Sequence, residues 1–329
     1  MGLLKTTDSK EVIVAVDGSG GDRGMVHIAG AVNFAQTMYP NFKALVFGSA
    51  LLHDELKRSR IDWNRCEFVE TYQVIPQDSQ VSDVLERYTR SSMYQAVLAV
   101  QEGRAHSMVS AGGTGPLVVL SRHLLSTMEN LRPALCARMP AGPGRYSLML
   151  DLGANAQCSA QDLCDFARLG DAAARLYFGL EAPRLAILNV GTEELKGSHV
   201  VQEAKARLEA SKGLNFTGFI EADRIFCGDA DVIITDGFSG NIALKSAEGV
   251  YRIFSNAPGI KRFFAKMGKP DWLLPWQYNG SLLLGVKGNV IKSHGNAGKE
   301  AFAVAMVEAV KAAQSDLAAA MQDNLALQK

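Results

Sequence analysis

ADVIITDGFSGN, residues 230–241, reads as three consecutive pieces: a short β run, a glycine turn and the opening of a helix. Residues 231–235 hold Val232, Ile233 and Ile234 in unbroken succession, so this strand is apolar on both faces. The turn 236–241 follows with Gly237 and Gly240. Ile242, Leu244, Val250, Ile253 and Phe254 then recur at helical spacing. Asn241 and Lys245 stand one helical turn apart and share a face. A strand apolar on both sides needs helices above and below it. This stretch therefore points to a three-layer α/β/α fold with a mostly parallel central sheet.

The same rhythm recurs outward from it, with strands expected at 12–17, 44–48, 107–110, 147–151 and 185–190, most leading into a glycine-containing turn. No internal repeat and no low-complexity linker divides the chain, so one catalytic α/β/α domain over residues 1–329 is expected, as one continuous sheet or two closely joined halves. Residues 297–327 are rich in alanine. Phe302, Met306, Ala309, Val310 and Leu317 fit one face of a closing helix broken near Ser315.

Hydrophobic residues make up 47% of the 329 and charged ones 21%, enough apolar material for a large core and too little charge for disorder. Lys plus Arg and Asp plus Glu both total 34, so no global field draws the chain to nucleic acid. Its five cysteines are odd in number and scattered, which favours reduced thiols in a cytoplasmic protein, with no disulfide and no metal site. No apolar run approaches the roughly 20 residues that span a bilayer.

Glycine turns at strand ends are the candidate anion sites, because helix N-termini present unpaired N–H groups there. In turn 17–22, Gly20 and Gly21 let backbone approach an anion, whereas Asp17 and Asp22 repel one unless turned aside to hold the loop. The spacing breaks a dinucleotide fingerprint, and no acidic residue follows before His53 to take a ribose hydroxyl. Turn 110–116 offers Gly112, Gly113 and the hydroxyls of Ser110 and Thr114, with Thr114 equally suited to cap the helix and Pro116 to its first position. In turn 151–155, Asn155 donates to a ligand or closes an Asx-turn, the turn role being favoured. The loop 292–296 gathers Lys292, Ser293, His294 and Asn296.

Taken in order, G-G-D at 20–22, S-A-G-x-T-G at 110–115, L-D-L-G-A-N at 150–155, L-N-V-G-T-E-E-L-K-G at 188–197, the opening stretch and K-S-H-G at 292–295 cover almost the whole chain. This series resembles the bacterial phosphate acyltransferase family of phospholipid synthesis. The resemblance implies acyl transfer from acyl-carrier protein to inorganic phosphate, a homodimer, peripheral membrane contact and a fold like phosphotransacetylases and isopropylmalate dehydrogenases. The chain departs from the family pattern where D-A-M-G-G-D becomes D-G-S-G-G-D and where S-A-G-N-T-G has Gly113.

Acyl phosphate formation from a thioester needs position and oxyanion stabilisation more than a metal or a nucleophilic triad, and no cofactor is expected. The turns at 112–115 and 237–241 are expected to hold phosphate, with Lys292 or His294 near the oxyanion, Asn241 catalytic and Lys196 a further cation whose alternative is a solvated helix residue. Asp236, being anionic, is expected to shape its turn. Residues 258–276 interleave Phe263, Phe264, Met267, Trp272 and Trp276 with Lys261, Arg262, Lys266 and Lys269, as a protruding amphipathic segment suited to a membrane interface or a dimer contact. The rival readings are a short-chain phosphotransacetylase using coenzyme A, a metal-dependent decarboxylating dehydrogenase and a non-catalytic lipid-synthesis scaffold.

Overall fold

The computed structural model describes residues 11–22, 24–77, 79–259 and 278–327. The basic and aromatic residues of the 258–276 segment, from 260 onward, lie outside them. By its internal contacts the chain forms two compact units, one of residues 2–133 and 279–329, the other of residues 134–278.

The first unit begins with β1 (Val12–Asp17), α1 (Met25–Met38), β2 (Phe42–Gly48), α2 (Ala50–Arg58) and β3 (Cys66–Glu70). It continues with α3 (Val81–Glu86), α4 (Ser92–Gln101), β4 (Ser107–Ser110) and α5 (Thr114–Leu125). In the second unit β5 (Ala134–Pro140) and β6 (Tyr146–Leu150) precede α6 (Ala160–Phe178), β7 (Arg184–Leu188), α7 (His199–Ala210), β8 (Asn215–Ile220), β9 (Val232–Ile234) and α8 (Gly237–Asn256). The chain then returns to the first unit with β10 (Ser281–Leu284), β11 (Asn289–Lys292), α9 (Lys299–Gln314) and α10 (Leu317–Leu327).

Strand order in the first unit is β3-β2-β1-β4-β11-β10, parallel except for β10 against β11. In the second it is β5-β6-β9-β7-β8, parallel except for β5 against β6. Val14, Ala15 and Val16 of β1 and all of β9 are buried at successive positions, so these strands are covered on both faces. The α/β/α expectation holds in each unit. Helix α9 is buried nearly all round, through Phe302, Ala303, Ala305, Met306, Ala309 and Val310, against α1, β4 and β11.

Local chemistry explains where the boundaries move. Strand β7 stops at Leu188 rather than 190, because the Asn189 amide turns to bond the Gly191 and Lys196 carbonyls at 3.0 Å each. The closing helix breaks at the expected place. Asp316 takes a left-handed φ of 47°, and Ser315 Oγ bonds back to the Lys311 carbonyl at 3.0 Å. Strands β3 and β8, end members of their orders, keep exposed polar positions, and their weak apolar pattern hid them from the sequence reading.

Candidate active site

Because β1, β4 and β11 are parallel neighbours, their carboxyl ends bring the turns 17–22, 110–115 and 292–296 together in the first unit. Asp17, the last residue of β1, is buried and points inward. Its Oδ1 accepts from Ser92 Oγ at 2.5 Å and Ser19 N at 3.3 Å, and its Oδ2 accepts from Ser110 Oγ at 2.6 Å. Burial pushes the Asp17 carboxyl above the ordinary carboxylate range, against the downward pull of the Ser110 and Ser92 hydroxyls. This is the aspartate turned aside to hold its loop.

Ser110, expected to offer its hydroxyl to phosphate, spends it here: the proton goes to Asp17, and the oxygen accepts from Gly112 N at 2.9 Å. A Cβ on Gly20 would lie 2.5 Å from Asp17 Oδ2 and 2.6 Å from Gly112 N, so the two turns meet backbone to backbone. Gly21 adopts φ 99°, and the next residue, Asp22, donates its N–H to the Gly295 carbonyl at 2.7 Å. That bond ties the first turn to the third.

Helix α5 starts two residues earlier than expected. Gly113 is its N-cap, Thr114 its first residue and Pro116 its third, so Thr114 is not the cap. Among the described residues the N–H groups of Thr114 and Gly115 have no acceptor, and Pro116 has no N–H to satisfy. These open donors make the N-terminus of α5 the part of the cluster able to take an anion.

The third turn is held by a residue the sequence reading missed. Buried Asn279 donates to Ser293 Oγ at 2.8 Å and the Ala301 carbonyl at 2.7 Å, and accepts from His294 N at 3.0 Å. Lys292 folds its ammonium onto the Ser293 carbonyl, and both Lys292 and His294 are half-buried beside the turn. Nothing local marks Asn279 or Ser92, since each acts on a loop far away in sequence.

In the second unit the buried Asp151 carboxylate accepts from Leu135 N at 2.9 Å, Ala154 N at 3.1 Å, Asn155 N at 2.6 Å and Asn155 Nδ2 at 2.9 Å. Burial raises its pKa against these bonds. Asn155 therefore serves the turn, as favoured. Asp236 is the N-cap of α8, accepting from Ser239 N at 2.7 Å, which is how it shapes its own turn.

Gly237 and Gly240, expected to hold phosphate, are occupied otherwise. A Cβ on Gly237 would lie 2.5 Å from the Asn155 carbonyl oxygen, and one on Gly240 would overlap the Asp151 carbonyl oxygen. The Gly237 N–H donates to the Asn155 carbonyl at 2.9 Å and the Gly240 N–H to the Asp236 carbonyl at 3.0 Å. Both glycines let α8 press against the 151–155 turn. Asn241 differs: it lies beside Gly153 half-buried, and among the described residues its carboxamide makes no hydrogen bond. Lys196 is exposed, in a loop rather than a helix, 3.9 Å from Glu193.

The second unit also holds a groove of about 1240 Å³, opening where β7, β8 and β9 end. Asn189, Thr235 and Ser239 lie at that end, and Val201, Phe226 and Ile242 are among its apolar walls. Among the described residues no three His, Cys, Asp or Glu side chains gather as a metal site, and no helix is long and apolar enough to cross a membrane.

The family described as fatty acid synthesis protein matches residues 12–320. The chain is 38% identical over 328 residues to a phosphate acyltransferase of Aeromonas salmonicida, covering 95% of this chain and 96% of that one. It is 40% identical over 320 residues to one of Moritella marina, covering 92% and 95%. In fold it is similar to a phosphotransacetylase from Streptococcus pyogenes, with TM-score 0.65, 16% identity and coverage of 94% and 95%. A 4-hydroxythreonine-4-phosphate dehydrogenase from Klebsiella pneumoniae shares the fold more loosely, with TM-score 0.53, 15% identity and coverage of 94% and 99%.

Proposed function

This chain belongs to the fatty acid synthesis protein family, with phosphate acyltransferases among its relatives, and from that premise we propose that it forms acyl phosphate from a long-chain acyl-carrier protein thioester and inorganic phosphate. The observation that carries this reading is the convergence of the three turns 17–22, 110–115 and 292–296 on the carboxyl ends of β1, β4 and β11, with the open N-terminus of α5 among them.

Phosphate binds at the Thr114 and Gly115 N–H groups, with Gly20, Gly21, Gly112 and Gly113 keeping side chains out of its way. One phosphate oxygen attacks the thioester carbonyl carbon, and the carbonyl oxygen becomes an oxyanion. Lys292 and His294, on the adjoining turn, stabilise that charge. Collapse breaks the C–S bond, expelling a thiolate that needs no strong acid because a thiol has pKa of about 8.5. In the second unit Asn241 is the expected donor that stays unengaged, and we keep it in substrate binding.

From the family resemblance we further propose a cytoplasmic homodimer that meets membranes peripherally. Liposome flotation and light scattering test those two points. The reaction is tested by trapping acyl phosphate with hydroxylamine, using long-chain acyl-carrier protein and acetyl coenzyme A in parallel. The carrier thioester is expected to give the larger kcat/KM, and a preference for acetyl coenzyme A would hand the chain to the short-chain phosphotransacetylases. His294→Ala and Asn241→Ala should each lower kcat/KM by about 10- to 100-fold in folded protein, the worth of a hydrogen bond to a charged group. Normal kinetics in both would remove their assignment.

A further inference from the structure

We propose that the groove of the second unit seats the acyl chain of the thioester and that α8 measures its length; this rests on the acyl-transfer reading and adds where the chain lies. Open α/β sheets take ligands at the carboxyl ends of their strands. Three parallel strands end in this groove, since Asn189, Glu221 and Thr235, each the residue after β7, β8 and β9 respectively, all line it. Its volume of about 1240 Å³ suits a large organic ligand.

The lining is graded. Polar groups of Asn189, Thr235 and Ser239 sit at the strand ends, and Ile242, Ala243, Ala247 and Val250 follow along α8, with the Ser246 hydroxyl the one polar group that the described residues of that helix add to the lining beyond Ser239. Ser239, Ile242, Ser246 and Val250 line the groove at successive turns, and the eleven steps from Ser239 to Val250 at about 1.5 Å each give a run of roughly 17 Å. An extended hydrocarbon, with bonds of about 1.5 Å, advances about 1.25 Å per carbon, so this run matches roughly 13 carbons. A ligand with one polar end and a long apolar body complements that gradient.

Charge narrows the choice of head group. Glu221, Asp223 and Asp236 line the groove, and a free fatty acid would bring its carboxylate among them. A thioester carbonyl is neutral and meets no such repulsion. The occupant is therefore the esterified chain rather than the free acid.

The test uses octanoyl, dodecanoyl and hexadecanoyl thioesters of N-acetylcysteamine with Ile242→Trp, near the strand ends, and Val250→Trp, two helical turns further on. Both positions are about half exposed, 49% and 53%, so the larger side chain is tolerated on the helix. Binding is read by displacement of the neutral fluorophore N-phenylnaphthylamine, and turnover by acyl phosphate trapping. Val250→Trp should raise the ratio of hexadecanoyl to octanoyl KM at least tenfold, and Ile242→Trp should weaken both chains. In wild type, hexadecanoate should displace the fluorophore at least tenfold less well than its thioester.

Chain-length profiles that overlay wild type in both variants would overturn the proposal, as would failure of the hexadecanoyl thioester to displace the fluorophore. A change in molar mass with an unaltered profile would assign the groove to a second copy and overturn it too. If the thioesters displace the fluorophore from wild type, and the two variants shift that displacement with chain length as stated, but no thioester is turned over, the acyl-transfer reading fails and the groove assignment stands.

Discussion

Replacing Gly240 by alanine puts a single methyl group against the 151–155 turn. Its Cβ would overlap the Asp151 carbonyl oxygen and lie 2.8 Å from Thr235 Cγ2. The obstructing atom is backbone, pinned because the Asp151 side chain is held by Leu135, Ala154 and Asn155. The start of α8 must therefore move. Overpacking of this kind costs about 1–3 kcal/mol. The Gly237 to Asn155 hydrogen bond across the same seam, 2.9 Å long, is stretched at about 1 kcal/mol more.

Alanine's helix propensity returns up to about 1 kcal/mol, leaving a net loss of about 1–3 kcal/mol. At about 2–4 °C per kcal/mol for a domain of this size, Tm should fall by roughly 2–12 °C. Gly249→Ala is the internal control. It lies in the same helix with no described atom within 4 Å of the added Cβ, so the same substitution should stabilise by up to about 1 kcal/mol. Scanning calorimetry of the pair reads opposite signs. A Gly240→Ala protein as stable as wild type but poorly active would refute the packing argument and return Gly240 to the phosphate site.

Asn279→Ala removes three hydrogen bonds to the 292–296 turn and its neighbour and should cost about 2–4 kcal/mol in urea unfolding while lowering kcat through the loosened Lys292 and His294; unaltered kcat would detach the turn from catalysis. Burial raises the Asp17 pKa, so its stabilising contribution is full with the proton on and is lost as pH rises through the folded value. Asp17→Asn should therefore gain on wild type in urea midpoint as pH rises from the ordinary carboxylate range through the raised folded value, and a gap that does not change with pH would contradict this. Cys227 is exposed, whereas burial pushes the Cys66 thiol up to about 12 and raises that of Cys136 as well. A thiol reagent near neutral pH should label Cys227 in the native protein and reach Cys66 and Cys136 only on unfolding, as peptide mapping will show.

The layered α/β class, the parallel strands and the positions of the glycine turns were legible in the amino-acid order, because they depend on signals a few residues long. Val232, Ile233 and Ile234 in a row mean a strand covered on both faces, and a glycine after such a run means a turn into a helix. The family was legible for a related reason: its motifs are those turns, in order. Which donors in each turn stay open was not legible. Ser110 looks like a phosphate donor until Asp17, 93 residues away, is seen to take its proton, and Asp17 in turn is 75 residues from its other serine hydroxyl partner, Ser92. Gly237 and Gly240 look like an anion cradle until the Asn155 and Asp151 carbonyls fill the space before them. Asn279 gives no local sign of the loop it holds. A hydroxyl proton or an amide goes to whichever acceptor the fold brings within about 3 Å. Residue type and spacing state what a side chain is able to bond, and only tertiary packing decides which bond is already made and which is left for a ligand.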